Sequence, residues 1–189
     1  MNLKDLIVYF CDDYIHIVNH HQVIHKRLDC IQKGLVVDRT KFMESFLAIL
    51  KKEKVKSKLF GDTICVVKDV FFRASDLFYL ESIFSELGFI KVVFMDIQEL
   101  FCEGYTYIGI FQDYIVFYLK QPLILDLSYV SDILKLIEYL KDYYLEYVVL
   151  FGTYSDIPKF QSNKIPLYYI DNYTNYITDS LLKVKKCDA

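Results

Sequence analysis

Residues 61–104 constrain the fold most, because they alternate a strand, a helix and a second strand. Residues 63–67 form an apolar, β-branched run that is typical of a buried strand. Ser75 is the predicted N-cap of the helix that follows, and Gly88 is placed to end it in a left-handed conformation. The apolar residues of this helix recur at helical spacing: Leu77, Leu80, Ile83, Phe84 and Leu87. With a buried strand at residues 92–95, the segment predicts a βαβ unit whose parallel strands are joined by a right-handed crossover.

Two antiparallel hairpins are predicted at the start of the chain. Their strands cover residues 6–10, 14–19 and 22–31. Asp12 and Asp13 form the first turn, and His20 and His21 form the second. A two-residue second turn pairs Val18 with Val23 and His16 with His25.

A helix over residues 40–52 precedes the βαβ unit, with Asp38 as its predicted N-cap. Its predicted apolar stripe consists of Phe42, Phe46, Ile49 and Leu50. The first half of the chain is therefore predicted to have the order β-β-β-α-β-α-β.

The second half repeats this order. Strands are predicted at residues 105–111, 114–119, 123–127, 147–151 and 167–170. An amphipathic helix capped by Asp126 or Ser128 lies between the third and fourth of these strands, and a last helix covers residues 172–186. We therefore predict an α/β fold with a duplicated βββαβα core. Residues 1–103 form a first lobe, and residues 104–189 form a second, truncated lobe.

Composition and charge exclude several functional classes. At 54% hydrophobic and 25% charged, the 189 residues can bury a large core. The formal net charge of −3 offers no concentrated basic field, so we expect no nucleic-acid partner. Five scattered cysteines without a CxxC pair indicate reduced thiols in a cytoplasmic protein. The first residues lack a signal-peptide pattern, and no apolar run reaches the roughly 18 residues of a membrane span.

Three segments of the sequence form recognisable motifs. Residues 33–38 read Lys-Gly-Leu-Val-Val-Asp before the first predicted helix. Residues 63–89 begin with Thr-Ile-Cys-Val-Val and contain Arg73 and Glu81, and residues 149–158 read Val-Leu-Phe-Gly-Thr-Tyr-Ser-Asp-Ile-Pro. In this order they resemble the segment that enters the first helix, the "ICVP…ER…AG" segment and the adenosine loop of the bacterial actin-like ATPases, the family of MreB, FtsA and PilM, which has a ribonuclease H-like fold. The resemblance implies a minimal actin-like core without insert subdomains, because a helix follows the third strand directly.

The resemblance also locates a nucleotide site. The family binds ATP through two glycine-containing phosphate hairpins and the adenosine loop. The matching positions here are Asp12, Asp13, Gln112, Asp113, Gly152 and Thr153. Neither hairpin contains a glycine, and the acids would repel a triphosphate, so we expect no cofactor. ATP with Mg is the alternative.

Two kinds of metal site are also conceivable from the residues. His16 and His25 form a two-histidine metal site only with a further carboxylate or thiolate; otherwise they belong to a polar hairpin. A metal-dependent nuclease would hold metals with acids on the first strand, whereas Asp12 and Asp13 follow that strand as turn residues.

Tyrosines near the end of the long helix offer a partner-binding surface. Tyr139, Tyr143 and Tyr144 either anchor a protein partner or cover the sheet. Our leading hypothesis is a non-catalytic actin-like scaffold or assembly protein of a bacterial cell-division, cell-shape or pilus/secretion machinery. Its partners would be the cytoplasmic segment of a membrane protein, another actin-like protein or a second copy, with recruitment to the inner membrane through a partner. The alternatives are a divergent ATP-binding actin-like ATPase and a metal-dependent nuclease.

Overall fold

The chain divides into two compact α/β units. The structure is a computed structural model, and it describes residues 6–19, 23–55, 63–111, 113–141, 147–152, 166–170, 176–177 and 179–180. The first unit includes Met1–Leu100, and the second comprises Phe101–Ile177. The domain boundary inferred from the sequence, between residues 103 and 104, stays a prediction.

A five-stranded mixed sheet forms the centre of the first unit. Its elements in chain order are β1 (Leu6–Cys11), β2 (Tyr14–Val18), β3 (Val23–Arg27), β4 (Ile31–Gln32), β5 (Leu35–Val36), α1 (Arg39–Lys52), β6 (Thr63–Lys68), α2 (Ala74–Glu86) and β7 (Lys91–Asp96). The strand order is β3-β2-β1-β6-β7, while β4 and β5 form a separate small hairpin. The β1-β2-β3 meander is antiparallel, and β1, β6 and β7 are parallel. The predicted βαβ unit is therefore confirmed.

One face of this sheet packs against α1 and α2. The predicted stripe of α1 is fully buried, and α2 contributes Leu80, Ile83 and Phe84. The rings of Phe42, Phe46, Phe84 and Phe89 meet in edge-to-face contacts with centroids 5.6 to 6.5 Å apart. Such contacts add specific geometry to the burial of apolar area. The Asp38 carboxylate caps α1 as predicted, accepting a hydrogen bond from the Lys41 backbone N–H at 3.0 Å.

Two local predictions were wrong. Ser75 lies inside α2, and Arg73 is the N-cap residue, because the Asp76 carboxylate accepts the Arg73 backbone N–H at 2.8 Å. A carboxylate in the first turn also interacts favourably with the helix dipole, which a serine hydroxyl does not. The third strand ends at Arg27 instead of residue 31, because the chain reverses in a tight turn in which the Ile31 N–H donates to the Leu28 carbonyl at 3.0 Å.

The second unit repeats the topology of the first. Its elements are β8 (Thr106–Ile110), β9 (Tyr114–Tyr118), β10 (Leu123–Asp126), α3 (Ile133–Lys141), β11 (Val148–Gly152) and β12 (Leu167–Tyr169). The strand order is β10-β9-β8-β11-β12, with an antiparallel β8-β9-β10 meander and parallel β8, β11 and β12. Asp126 caps the 3₁₀ segment Leu127–Asp132 that leads into α3. The predicted duplication is therefore confirmed, while most of the predicted helix at residues 172–186 lies outside the described residues.

The second sheet has two different faces. Aliphatic residues of β8, β9 and β11 pack with Ile133 and Ile137 of α3. The opposite face is aromatic, and Phe101 stacks on Tyr107 with centroids 4.1 Å apart. The Tyr107 hydroxyl lies 3.0 Å from that of Tyr176. Among the residues that the structure describes, no helix is long and apolar enough to cross a membrane.

Candidate functional site

The turn between β1 and β2 is closed by a neighbouring loop. Asp12 has a left-handed backbone, with φ of 50°. Its carbonyl accepts the Gly34 N–H at 2.7 Å, and the Asp13 carbonyl accepts the Leu28 N–H at 2.8 Å. These bonds hold the turn against the residues that precede α1, so the turn is a rigid part of the first unit.

Three carboxylates lie near this turn, and one of them is paired with a cation. The Asp13 carboxylate accepts a hydrogen bond from Arg27 Nε at 2.5 Å. Burial, and then the nearby carboxylates of Asp12 and Asp69, raise the pKa of the Cys11 thiol well above its usual value. The Cys11 thiol therefore stays protonated and adds no charge to the turn.

The turn between β8 and β9 is filled by an aromatic ring. The Phe111 N–H donates to the Tyr114 carbonyl at 2.9 Å, and the Asp113 carbonyl accepts the Leu127 N–H at 3.2 Å. The Phe111 ring is buried, with its centroid 4.8 Å from that of Tyr114 and 6.1 Å from that of Phe151. The Phe111 N–H is thus used within the hairpin, and Gln112 lies outside the described residues.

Gly152 has a packing reason to be glycine. Its φ is +133°, and a Cβ atom added there would lie 2.0 Å from the Ile110 carbonyl oxygen. Gly152 pairs with Ile110 across β11 and β8, so a larger residue would push the two strands apart. Its presence therefore does not depend on a nucleotide, and Thr153 of the same predicted loop lies outside the described residues.

The described residues at the two turns do not fit a triphosphate with its Mg ion. A phosphate cradle uses glycine-rich backbone whose N–H groups point at the ligand. Here two adjacent carboxylates, Asp12 and Asp13, occupy the first turn, and the Phe111 N–H is already bonded at the second. Asp12 and Asp13 share one turn in the first unit, whereas Asp113 and Gly152 belong to the second unit. Their role as nucleotide-site positions stays a prediction.

The hairpin of β2 and β3 contains a buried histidine pair. His16 pairs with His25 in the predicted register, and their Nδ1 atoms lie 3.0 Å apart. His16 is 3% exposed, and burial followed by the neighbouring His25 lowers its pKa to about 3. Burial and then Lys26 lower the pKa of His25, whose ring stacks on Tyr14. At this distance the protonated Nδ1 of one ring donates a hydrogen bond to the unprotonated Nδ1 of the other. Two neutral histidines can form this bond, because each neutral ring has one donor and one acceptor nitrogen.

No metal centre accompanies these histidines in the described part of the chain. Within it, no group of three or more His, Cys, Asp or Glu side chains is placed to hold a metal ion. The carboxylates of Asp12 and Asp13 likewise form no such group with a third described ligand.

An exposed tyrosine cluster lies in the second unit. Its rings belong to Tyr105, Tyr147 and Tyr168, with centroids 5.5 to 6.2 Å apart. All three side chains are exposed. Parallel strands bring them together, because Tyr105 and Tyr147 directly precede β8 and β11, and Tyr168 lies in β12. No pattern in the sequence connects these residues, since only the strand order shows that their strands are neighbours.

The tyrosines predicted to bind a partner cannot be placed in the same way. The side chains of Tyr139, Tyr143 and Tyr144 lie outside the described residues. Their partner-binding role therefore stays a prediction.

Comparison with known proteins identifies the fold. No protein-family model and no curated protein matches the chain. Among solved structures, MreB 5 of Spiroplasma citri bound to AMPPNP is similar with a TM-score of 0.69 and 7% identity, covering 97% of this chain and 96% of that one. The ethanolamine utilization protein EutJ from Carboxydothermus hydrogenoformans is similar with a TM-score of 0.60 and 12% identity, covering 93% of this chain and 87% of that one.

A third similar structure comes from a secretion system. It is the cytoplasmic domain of EpsL, an inner membrane component of the type II secretion system of Vibrio cholerae. The TM-score is 0.55 at 9% identity, and the match covers 95% of this chain and 94% of that one. Likenesses at such low identity establish the fold alone. The chain has the actin-like ATPase fold, in a minimal form with two five-stranded sheets.

Proposed function

We propose that this chain is a non-catalytic actin-like protein that serves as a scaffold or assembly component through protein contacts. The observation that carries the proposal is the β1–β2 turn, which consists of two adjacent aspartates, Asp12 and Asp13, in place of a glycine-containing phosphate hairpin. A turn that presents carboxylates repels a triphosphate. The two α/β units then remain as surfaces that are available to partners.

Similar proteins suggest where such a frame would act. One of them, EpsL, is an inner membrane component of a secretion system, and the matched part is its cytoplasmic domain. By analogy, we place this chain in the bacterial cytoplasm, at the inner membrane through a partner, in a cell-division, cell-shape or pilus/secretion machinery. Its partners would be a membrane protein's cytoplasmic segment, another actin-like protein or a second copy.

The exposed tyrosine cluster supports a role in protein contacts. Tyrosine presents a large, rigid ring with a polar end, and it is enriched among the residues that dominate binding energy. The cluster of Tyr105, Tyr147 and Tyr168 offers three such rings on one surface.

A divergent ATPase is the second candidate function. It is favoured by the similarity to an MreB that is bound to AMPPNP, which extends over nearly the whole of both chains. The nuclease alternative has no comparable support among the described residues.

Nucleotide binding separates the two candidates. We would measure thermal unfolding with and without about 5 mM Mg-ATP or Mg-ADP, where a ligand at 100 times its Kd adds about 2.7 kcal/mol of stability and several degrees of Tm. We expect no shift for the natural chain. Asp132→Asn serves as a matched control for the double variant Asp12→Gly/Asp13→Gly, because it removes an exposed carboxylate that is paired with Lys135 instead of lying in the turn.

The outcomes are distinct. If the natural chain is stabilised by Mg-ATP and the double variant is not, the turn binds nucleotide and the proposed function is wrong. If only the double variant gains a nucleotide-dependent shift, the carboxylates are what prevents binding, as proposed.

A further inference from the structure

Strand β10 is an edge of the second sheet with an apolar, exposed surface. In the strand order it lies outside β9, and no described strand pairs with its other side. The residues at positions 120–124 are all exposed, and Leu123 and Ile124 are 38% and 44% exposed. Edge strands are commonly protected by charge or proline. Here such residues lie only at the two ends of the edge, Lys120 and Pro122 before β10 and Asp126 at its end, and Leu123, Ile124 and Leu125 between them are apolar.

The hydrogen-bond pattern indicates which backbone groups face outward. The Leu127 N–H donates to the Asp113 carbonyl, and this bond continues the register in which Leu125 faces Ile115. Hydrogen-bonded and non-bonded pairs alternate along an antiparallel ladder. The N–H and C=O of Ile124 therefore point away from β9, toward the position of an added strand.

A cavity and an unpaired cation lie at the beginning of this edge. The cavity has a volume of about 590 Å³ and is lined by Thr106, Tyr118, Leu119, Lys120 and Gln121. Lys120 is exposed and has no ion pair with any described residue. An ammonium group at the end of an apolar edge complements an acidic side chain or a terminal carboxylate.

We propose that β10 is a docking edge for an extended segment of a protein partner, which adds a strand beside Ile124 and places an acidic group at Lys120. Main-chain hydrogen bonds provide affinity in this mode, and side chains at alternate positions provide specificity. Apolar side chains of the segment would contact Leu123 on one face of the sheet and Ile124 on the other. This inference rests on the proposed function, since it specifies the class of partner.

A second copy of the chain fits the edge less well than a foreign segment. Pro122 begins the edge and has no N–H to donate. If β10 paired with β10 of a second copy, both strands would contribute a proline, and two hydrogen bonds would be missing. A foreign segment without proline loses only one. A four-residue strand also buries far less area than the roughly 1,200 Å² of a stable protein interface, but it is long enough for a peptide.

The test uses peptides selected from a random twelve-residue display library on the full natural chain. We expect the selected peptides to combine alternating apolar residues with an acidic residue. Each peptide would then be titrated by fluorescence anisotropy against the natural chain and three variants: Ile124→Pro, Ile124→Val and Lys120→Glu. Ile124→Pro removes the outward N–H, and Ile124→Val keeps both that N–H and an apolar β-branched side chain.

We expect binding to Ile124→Pro to be roughly ten-fold weaker, the effect of one lost hydrogen bond in a desolvated ladder. Binding to Ile124→Val should equal that of the natural chain, and Lys120→Glu should weaken the acidic peptides. Unchanged Tm and unchanged hydrogen-exchange protection at Leu125 would verify that Ile124→Pro leaves β9 and β10 paired. If Ile124→Pro unfolds, the test rests on Lys120→Glu, which changes only an exposed side chain.

Three results would overturn the inference. They are the absence of any selected binder, binders that are indifferent to both Ile124→Pro and Lys120→Glu, and self-association of the natural chain that Ile124→Pro abolishes. The last would assign the edge to a second copy. The nucleotide measurement tests the proposed function independently. If Mg-ATP raises the Tm and the peptides still bind at the edge, only the proposed function is wrong. If Mg-ATP leaves the Tm unchanged and no peptide binds at the edge, only this inference is wrong.

Discussion

Acid should destabilise this protein through the buried histidine pair. The folded-state pKa of His16 is lowered to about 3, while an unfolded histidine titrates near 6.5. Between these values the unfolded chain binds a proton that the folded chain does not, so stability rises with pH. The contribution of His16 is therefore fully present above pH 6.5 and is lost as the pH falls toward 3.

The size of the effect follows from the same two values. From pH 7 to pH 5, protonation of the unfolded histidine alone lowers the free energy of unfolding by about 2 kcal/mol, because the folded form stays neutral across that range. His16 is 3% exposed, so solvent screening reduces this figure little. The lowered pKa of His25 acts in the same direction.

Urea unfolding at pH 7, 6 and 5 would measure this loss in the natural chain and in His16→Gln. The glutamine amide keeps a hydrogen-bonding group beside His25 and does not titrate. Carboxylates titrate in both proteins, so the difference between the two pH dependences isolates His16. We expect the natural chain to lose about 2 kcal/mol more than the variant over this range. Equal losses would refute the argument, since they would mean that His16 is protonated in the folded chain as readily as in the unfolded one.

Two further predictions concern stability. Gly152→Ala should cost about 3 kcal/mol or more in urea unfolding, because its Cβ would overlap the Ile110 carbonyl. Gly104→Ala is the matched control, because Gly104 also has a positive φ, of +82°, but an added Cβ would meet nothing within 4 Å. An equal loss of stability in both variants would show that backbone strain alone, and not the overlap with Ile110, is responsible. Asp38→Ala should lower the free energy of unfolding by about 1 kcal/mol through loss of the α1 cap, with Asp38→Asn close to the natural chain; an equally destabilised Asn variant would contradict the capping argument.

Local sequence patterns determined much of this fold. Continuous apolar runs mark the central strands, which are buried on both faces, and the 3.6-residue period marks α1, which buries one face. The duplicated order of elements follows from that pattern, and the pairing of His16 with His25 follows from a two-residue turn, which leaves only one register. The cap at Asp38 and the left-handed Gly88 are equally local features, and both were predicted.

Two local features were not predicted, because the sequence offered competing or weak signals for them. Ser75 and Asp76 are both reasonable capping residues, and the sequence pattern contains no measure of which bond is stronger. The end of β3 depends on the tight turn in which the Ile31 N–H donates to the Leu28 carbonyl, and residues 28–31 contain no glycine or proline that would indicate it.

The sequence by itself thus determined the elements and their order, because apolar runs, helical periodicity and turn geometry act over a few residues. Only the tertiary structure decided which residues become neighbours across strands. The order β10-β9-β8-β11-β12 brings three tyrosines into one exposed cluster and leaves β10 as an edge. It also brings the backbones of Gly152 and Ile110 so close together that no side chain fits between them. These features arise from strand pairing between distant segments, and no pattern within a single segment contains that information.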